Sequence, residues 1–208
     1  MKLIGIDTLN SNKFLNFYLA QYEDNKSNIS NYYFASRNKT QDLACVLADR
    51  NSYIKPNAIE AFTYIDNEDE RCVVMIREFR KPLNSYVYSF PAGLIEEGES
   101  PEIALCREVK EEIGGIIDTF NFCQNYPLAM CAGLTDESNM LAVVKLKRAE
   151  VSAQNLDENE VIDVVKFDPY SLAEKIKYNE IKLTASGYLG AILLLYKLGI
   201  NLSYILEK

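Results

Sequence analysis

The stretch from Ser100 to Gly115 marks both ends of a helix, and the rest of the chain has to be arranged around it. Ser100 can accept a hydrogen bond from the amides of the first turn. Pro101 suits the first helical position, where its missing N–H is not needed, and Gly114-Gly115 stop the helix. This spacing predicts a helix over Pro101–Ile113 with Ile103, Leu105, Cys106 and Val109 as its apolar side. Runs rich in β-branched and aromatic residues flank it. Ala58–Ile65 and Arg71–Phe79 are expected strands joined across the acidic turn Asp66-Asn67-Glu68-Asp69, and Tyr86–Phe90 is a third, ended by Pro91. Phe120–Tyr126, Asn139–Leu146 and Val161–Phe167 read as further strands, Pro169 to Tyr178 as a short helix and Thr184–Leu198 as a final apolar one. Strands, then a helix, then strands and helices describe an α/β domain with a mixed sheet covered by helices.

The first 55 residues read as a separate layer, with the main domain over residues 56–208. Phe14–Tyr22 and Tyr32–Ser36 are aromatic, β-prone runs separated by the polar stretch Glu23–Asn31, the pattern of a two-stranded antiparallel β-ribbon. A lone hairpin is marginal in water, so the ribbon must pack on the rest of the chain or on a second subunit.

Among the 208 residues there is no histidine. That removes Ser-His-Asp and Cys-His nucleophile systems, histidine-ligated zinc hydrolysis and any imidazole acid or base. Proton and metal work would fall to carboxylates, lysines, tyrosines or thiols. The net charge of −8 disfavours duplex nucleic acid as a partner. No apolar run approaches the ~20 residues that span a bilayer, and the N-terminus lacks the pattern of a secretory signal. Cys45, Cys72, Cys106, Cys123 and Cys131 are an odd, widely spaced set, as expected of reduced thiols in the cytoplasm.

The helix also carries the chemistry. Glu108 and Glu112 are four residues apart, which puts their carboxylates on one face about 6 Å apart, with Glu111 beside them. Like charges at this spacing repel. A divalent cation relieves the repulsion, and hard oxygen ligands select Mg²⁺ or Mn²⁺ over softer metals. Glu99 lies just before the cap and can reach Arg107, holding the loop against the helix, while Gly93 and Gly98 let that loop turn tightly. An isolated E-x-x-E-E is most often a solvated acidic face. The full spacing is far more specific. Gly93, Glu99, Arg107, Glu108, Val109, Glu111, Glu112 and Gly114 stand in the register G-x5-E-x7-R-E-U-x-E-E-x-G-U, where U is aliphatic. This resembles the signature of the Nudix hydrolases, with Gly115 in place of the last aliphatic residue.

The resemblance implies a Nudix-type α/β/α sandwich and Mg²⁺-assisted attack of water on a nucleoside diphosphate linked to another group. It makes Glu108, Glu112 and the Ala92 carbonyl metal ligands, Glu111 and Glu112 catalytic, and Gly93, Glu99 and Arg107 structural. Further segments are similar to the ADP-ribose pyrophosphatase branch. Arg77-Glu78-Phe79-Arg80 followed by Ser89-Phe90-Pro91-Ala92-Gly93 implies a phosphate or ribose contact from Arg80, with Ser89 where an acid is usual. Ala132-Gly133-Leu134-Thr135-Asp136-Glu137 implies a substrate contact from Glu137. Leu156-Asp157-Glu158-Asn159-Glu160 matches an acidic loop that closes over the substrate, with Glu158 as general base, Glu160 as metal ligand and the register between them open. The ribbon implies a homodimer, with Tyr32, Tyr33, Phe34 and Arg37 as candidates for stacking or phosphate contact. The expected reaction takes ADP-ribose to AMP and ribose 5-phosphate. The alternatives are a Nudix hydrolase of dinucleoside polyphosphates, coenzyme A or capped RNA, and a non-catalytic nucleotide-sensing module.

Overall fold

Three strands, rather than the expected two, build the N-terminal sheet: β1 (Lys2–Ser11), β2 (Asn16–Glu23) and β3 (Ile29–Ser36), in the order β1-β2-β3. The computed structural model describes residues 1–49, 55–150, 154–155 and 161–207. β2 and β3 pair from Asn16↔Ser36 to Glu23↔Ile29. Their turn is tied by the Asp24 carboxylate, which accepts from the Lys26 and Asn28 amides at 2.7 and 2.9 Å. β1 escaped the sequence pattern because Gly5, Asp7 and Asn10 are poor strand formers, and its pairing with β2 is interrupted by register shifts. Tyr18, Ala20, Phe34 and Leu43 form a small core on one face of this sheet. Helix α1 (Ala44–Asp49) follows.

The chain divides into two compact units, Met1–Ala58 with Asn125–Met140, and Ile59–Gln124 with Leu141–Lys208. The elements after α1 are β4 (Ala58–Asp66), β5 (Arg71–Arg80), β6 (Ser85–Ser89), β7 (Ala92–Leu94), α2 (Pro101–Ile113), β8 (Gly115–Phe122) and β9 (Leu128–Ala129). They continue with β10 (Ser138–Ala149), β11 (Ile162–Phe167), α3 (Pro169–Lys177), α4 (Ala185–Lys197) and α5 (Ser203–Leu206). In the first unit, β9 pairs with the start of β10 at Ser138↔Ala129.

The sheet of the second unit runs β11-β5-β4-β10-β8. Residues 58–65 of β4 and 72–76 of β5 are buried without alternation, as expected of strands covered on both faces. Phe62, Tyr64, Val73 and Met75 pack against Leu172, Ala191, Leu194 and Leu195 of α3 and α4. A Cβ on Gly190 would overlap the Phe62 ring and lie 2.8 Å from the Phe90 ring, so α4 approaches the sheet at a residue with no side chain. Helices α3 and α4 are both capped by side chains: Asp168 accepts from Tyr170 and Ser171, and Thr184, expected inside the last helix, accepts from Gly187 as its N-cap. Each contributes roughly 1 kcal/mol.

Two details differ from expectation. The strand after α2 starts at Gly115 rather than Phe120. Gly114 takes φ 56° as the C-cap, so one residue turns the chain directly into the sheet, and a Cβ on Gly115 would fall 2.6 Å from Val109. On α2, Leu105 and Val109 are buried together with Ala104 and Ile113, whereas Ile103 and Cys106 are exposed. The Leu105-Val109-Ile113 row is what faces the sheet, and residue 112 joins that side instead of 103.

The feature that positions the site is a split between β4 and β5. β5 pairs with β4 up to Val74↔Thr63 and with β6 from Ile76↔Ser89 onward. Beyond the split β4 takes β7 as its neighbour, with the Ala61 amide donating to the Pro91 carbonyl at 2.8 Å. Phe90 and Pro91 fill the opening, and Ala92-Gly93 emerge from it toward α2.

Candidate active site

Helix α2 is anchored at its N-terminus by Ser100, whose hydroxyl accepts from the Ile103 amide at 3.4 Å. Seven residues on, Arg107 joins the loop to the helix. Its Nε and Nη2 donate to the two Glu99 oxygens at 3.0 and 2.9 Å, and Nη2 also donates to the Leu94 carbonyl at 2.9 Å. Nη1 donates to Glu108 at 2.6 Å and to Glu111 at 3.2 Å. All five guanidinium N–H groups therefore have acceptors. These contacts hold the arginine firmly protonated, Glu99 foremost, and the same pair holds the Glu99 carboxyl below the ordinary range.

Glu112 is only 6% exposed, and its Oε2 accepts from the Ala92 amide at 3.1 Å, which fixes β7 against α2. Gly93 is required by the closeness of that approach: a Cβ there would overlap the Glu108 carboxylate, with even its farther oxygen 2.6 Å away. Glu99, Glu108 and Glu111 thus surround one arginine, three formal negative charges against one positive, while Glu112 holds the Ala92 amide. The donors are all oxygens, which suits a hard divalent cation and no soft one. With Arg107 drawing Glu108 and Glu111 toward itself, no three acidic or thiol side chains among the described residues converge on a single point.

Arg80 ends β5, half exposed, with Nη2 2.9 Å from Glu78 Oε2. Arg37 and Glu137 both lie in the first unit, where Arg37 Nε sits 3.9 Å from Glu137 Oε1. Of the aromatic residues there, Phe34 is core, Tyr33 stacks on Phe17, and the Tyr32 hydroxyl donates to the Gly133 carbonyl. Tyr32 also lines a cavity of about 640 Å³ with Tyr22, Phe34, Tyr126 and Asp136. Glu158 and Glu160 lie outside the described residues.

Three residues were not singled out from the sequence. The Gln154 side chain donates to the Glu112 carbonyl at 2.6 Å and the Asn155 amide to the Glu111 carbonyl at 2.9 Å, so this segment caps the end of the acidic helix. Glu60 on β4 is 3% exposed, and burial pushes its carboxyl up to about 7 despite a Ser186 hydrogen bond and the charge of Arg80. A lone acid inside the apolar run Ala58–Ile65 was the signal for it.

The NUDIX domain profile matches residues 56–185, well over half of the chain. The chain belongs to the Nudix family. Its Nudix helix is α2. The chain is 32% identical over 123 residues to a methanol dehydrogenase activator from Bacillus methanolicus, covering 59% of this chain and 62% of that protein. It is 28% identical over 126 residues to an ADP-ribose pyrophosphatase from Bacillus subtilis, covering 58% of this chain and 64% of that protein. A segment of 43 residues is 56% identical to an ADP-sugar pyrophosphatase from Mus musculus, covering 21% of this chain and 20% of that protein. The matched regions thus span less than two thirds of these relatives. The fold is shared over nearly the whole chain with a crystal structure described as an ADP compounds hydrolase, which superposes with a TM-score of 0.67 at 19% identity, covering 95% of this chain and 93% of that one.

Proposed function

We propose that this Nudix protein hydrolyses the pyrophosphate bond of ADP-ribose or a related nucleoside-diphosphate sugar. The observation that carries the reading is the oxygen-only cluster at α2, with Glu99, Glu108 and Glu111 about one arginine and Glu112 on the Ala92 amide, pressed against Ala92-Gly93. The ADP-ribose and ADP-sugar pyrophosphatases among its relatives support the substrate class. Glu108, Glu112 and the Ala92 carbonyl would hold Mg²⁺ or Mn²⁺, which when bound offsets the diphosphate charge and acidifies a water molecule. Arg80 grips a phosphate with its forked donors. Glu111 assists beside the ligands, Glu99 and Arg107 keep loop and helix in register, and Glu158 takes the proton of the attacking water with Glu160 as a further ligand. A P–O bond forms to water as the bridging P–O bond breaks, giving AMP and ribose 5-phosphate from ADP-ribose. Arg37 and Glu137 are assigned to substrate binding.

The protein acts as a homodimer in the cytoplasm. The N-terminal sheet exposes Ile4, Leu9, Phe17 and Tyr33, apolar area that a second copy would cover, and the five cysteines are all thiols. Sedimentation should give twice the chain mass, and a monomer would refute the dimer. For the activity, purified protein with Mg²⁺ should turn over ADP-ribose or an ADP-sugar from a panel that includes dinucleoside polyphosphates, coenzyme A, capped RNA and nucleoside triphosphates. Turnover of triphosphates alone would refute it.

A further inference from the structure

Arg37 follows the end of β3 and Glu137 precedes the start of β10, far apart in sequence, yet each adjoins a member of one polar network in the first unit. Asn38 is the hub of that network. Its amide donates to Ser36 Oγ at 3.0 Å, and its carbonyl accepts from Asn16 Nδ2 at 3.1 Å and from the Tyr18 hydroxyl at 2.9 Å. Its side-chain oxygen accepts from Asn57 Nδ2 at 3.2 Å, and its side-chain nitrogen donates to Asp136 Oδ2 at 3.3 Å. The same Asp136 oxygen accepts from the Ala44 amide, the first of α1, at 3.1 Å.

Asn57 closes the network. Its amide donates to the Ser138 carbonyl at 2.8 Å, and its Oδ1 accepts from the Ser138 amide at 3.0 Å. Glu137 is therefore held on both sides, with Asp136 bonded to Asn38 and Ser138 bonded to Asn57. Ahead of it, the Tyr32 hydroxyl donates to the Gly133 carbonyl and the Ala35 amide to the Leu134 carbonyl, both at 2.9 Å, so this segment is fastened to β3 as it approaches the hub. The two charged side chains remain accessible, Arg37 43% and Glu137 35% exposed, with Arg37 Nε 3.9 Å from Glu137 Oε1. An exposed ion pair of that kind adds little to stability.

We infer that Asn38 and Asp136 are positioning residues, which set Arg37 and Glu137 side by side to receive the substrate. This rests on the assignment of those two residues to substrate binding. A hub with each polar group bonded favours one arrangement of the segments that meet on it. The ligand then meets side chains whose backbone is already ordered, so that much less conformational entropy is lost on binding.

The test is calorimetric binding of the α,β-methylene analogue of ADP-ribose, whose bridging carbon water does not displace, with Mg²⁺ at pH 8 on the full chain. Asp136→Ala removes both bonds to Oδ2 and should weaken binding about tenfold. Asp136→Asn should bind within about twofold of wild type, because its carbonyl oxygen can accept from both Asn38 and Ala44 as Oδ2 does. Asn38→Asp keeps the acceptor for Asn57 and sets a carboxylate against that of Asp136; it should also lose about tenfold, and it carries the test if Asp136→Ala does not fold. Unchanged affinity in Asp136→Ala beside a lower urea midpoint would overturn the inference, since a purely structural network gives that result. Asp136→Asn binding as weakly as Asp136→Ala would also overturn it, by making charge and not placement the property that matters. Wild type that binds the analogue with the expected pattern but hydrolyses no diphosphate would refute the hydrolase reading and leave this one standing. Wild type that turns over ADP-ribose while all three variants bind alike would overturn this inference alone.

Discussion

Replacing Glu60 by glutamine should stabilise the fold in neutral and alkaline solution and leave it nearly unchanged in acid. Burial raises the Glu60 carboxyl from 4.5 to about 7. Below the unfolded value the group is neutral in both states, and the folded chain gains its full benefit from burying an uncharged acid. Between the two values the unfolded chain ionises while the folded chain resists, so stability falls by about 1.4 kcal/mol per pH unit and levels off above the folded value. The shift from 4.5 to about 7 amounts to a loss of roughly 3 kcal/mol. Glutamine is isosteric, keeps an acceptor for Ser186 and does not ionise. The difference in unfolding free energy between variant and wild type should therefore rise by about 3 kcal/mol from about pH 4 to pH 8.5. Urea unfolding followed by circular dichroism at steps across that range measures it directly. A difference that stays flat would refute the claim that Glu60 pays a desolvation penalty in the folded state.

Gly93→Ala places a methyl group on the Glu108 carboxylate and should push that side chain off the metal position proposed for it, cutting Mg²⁺ affinity and turnover at least tenfold with native circular dichroism; calorimetric titration with Mg²⁺ reads the affinity. Glu112→Gln keeps an acceptor for the Ala92 amide, so the fold should persist while turnover drops by about two orders of magnitude or more, and near-normal rates would remove the helix from the mechanism. Gly190→Ala drives a methyl group between the Phe62 and Phe90 rings and should cost about 1–3 kcal/mol in urea unfolding without changing the Michaelis constant.

What the sequence made legible was whatever is written locally. The ends of α2, the acidic register from Gly93 to Gly114 and the apolar runs of β4 and β5 depend on neighbours three or four residues away, and they appear where the pattern puts them. What stayed hidden depends on distant partners. β1 has a weak strand pattern and exists because β2 pairs with it. Ile103 looked like part of an apolar stripe, yet the sheet reads the Leu105-Val109-Ile113 row, and Glu112 is buried against Ala92, twenty positions away. Glu60 was a visible anomaly in an apolar strand, but its partners Ser186 and Arg80 come from elsewhere in the chain.

The five contacts of Arg107 also restrict which residues this position can accept. Lysine carries the same charge but gathers its three donors on a single nitrogen, with none to spread across Glu99, Leu94, Glu108 and Glu111 together. Drift to lysine would leave the formal charge untouched and unfasten the loop, a change that a tally of charges cannot register.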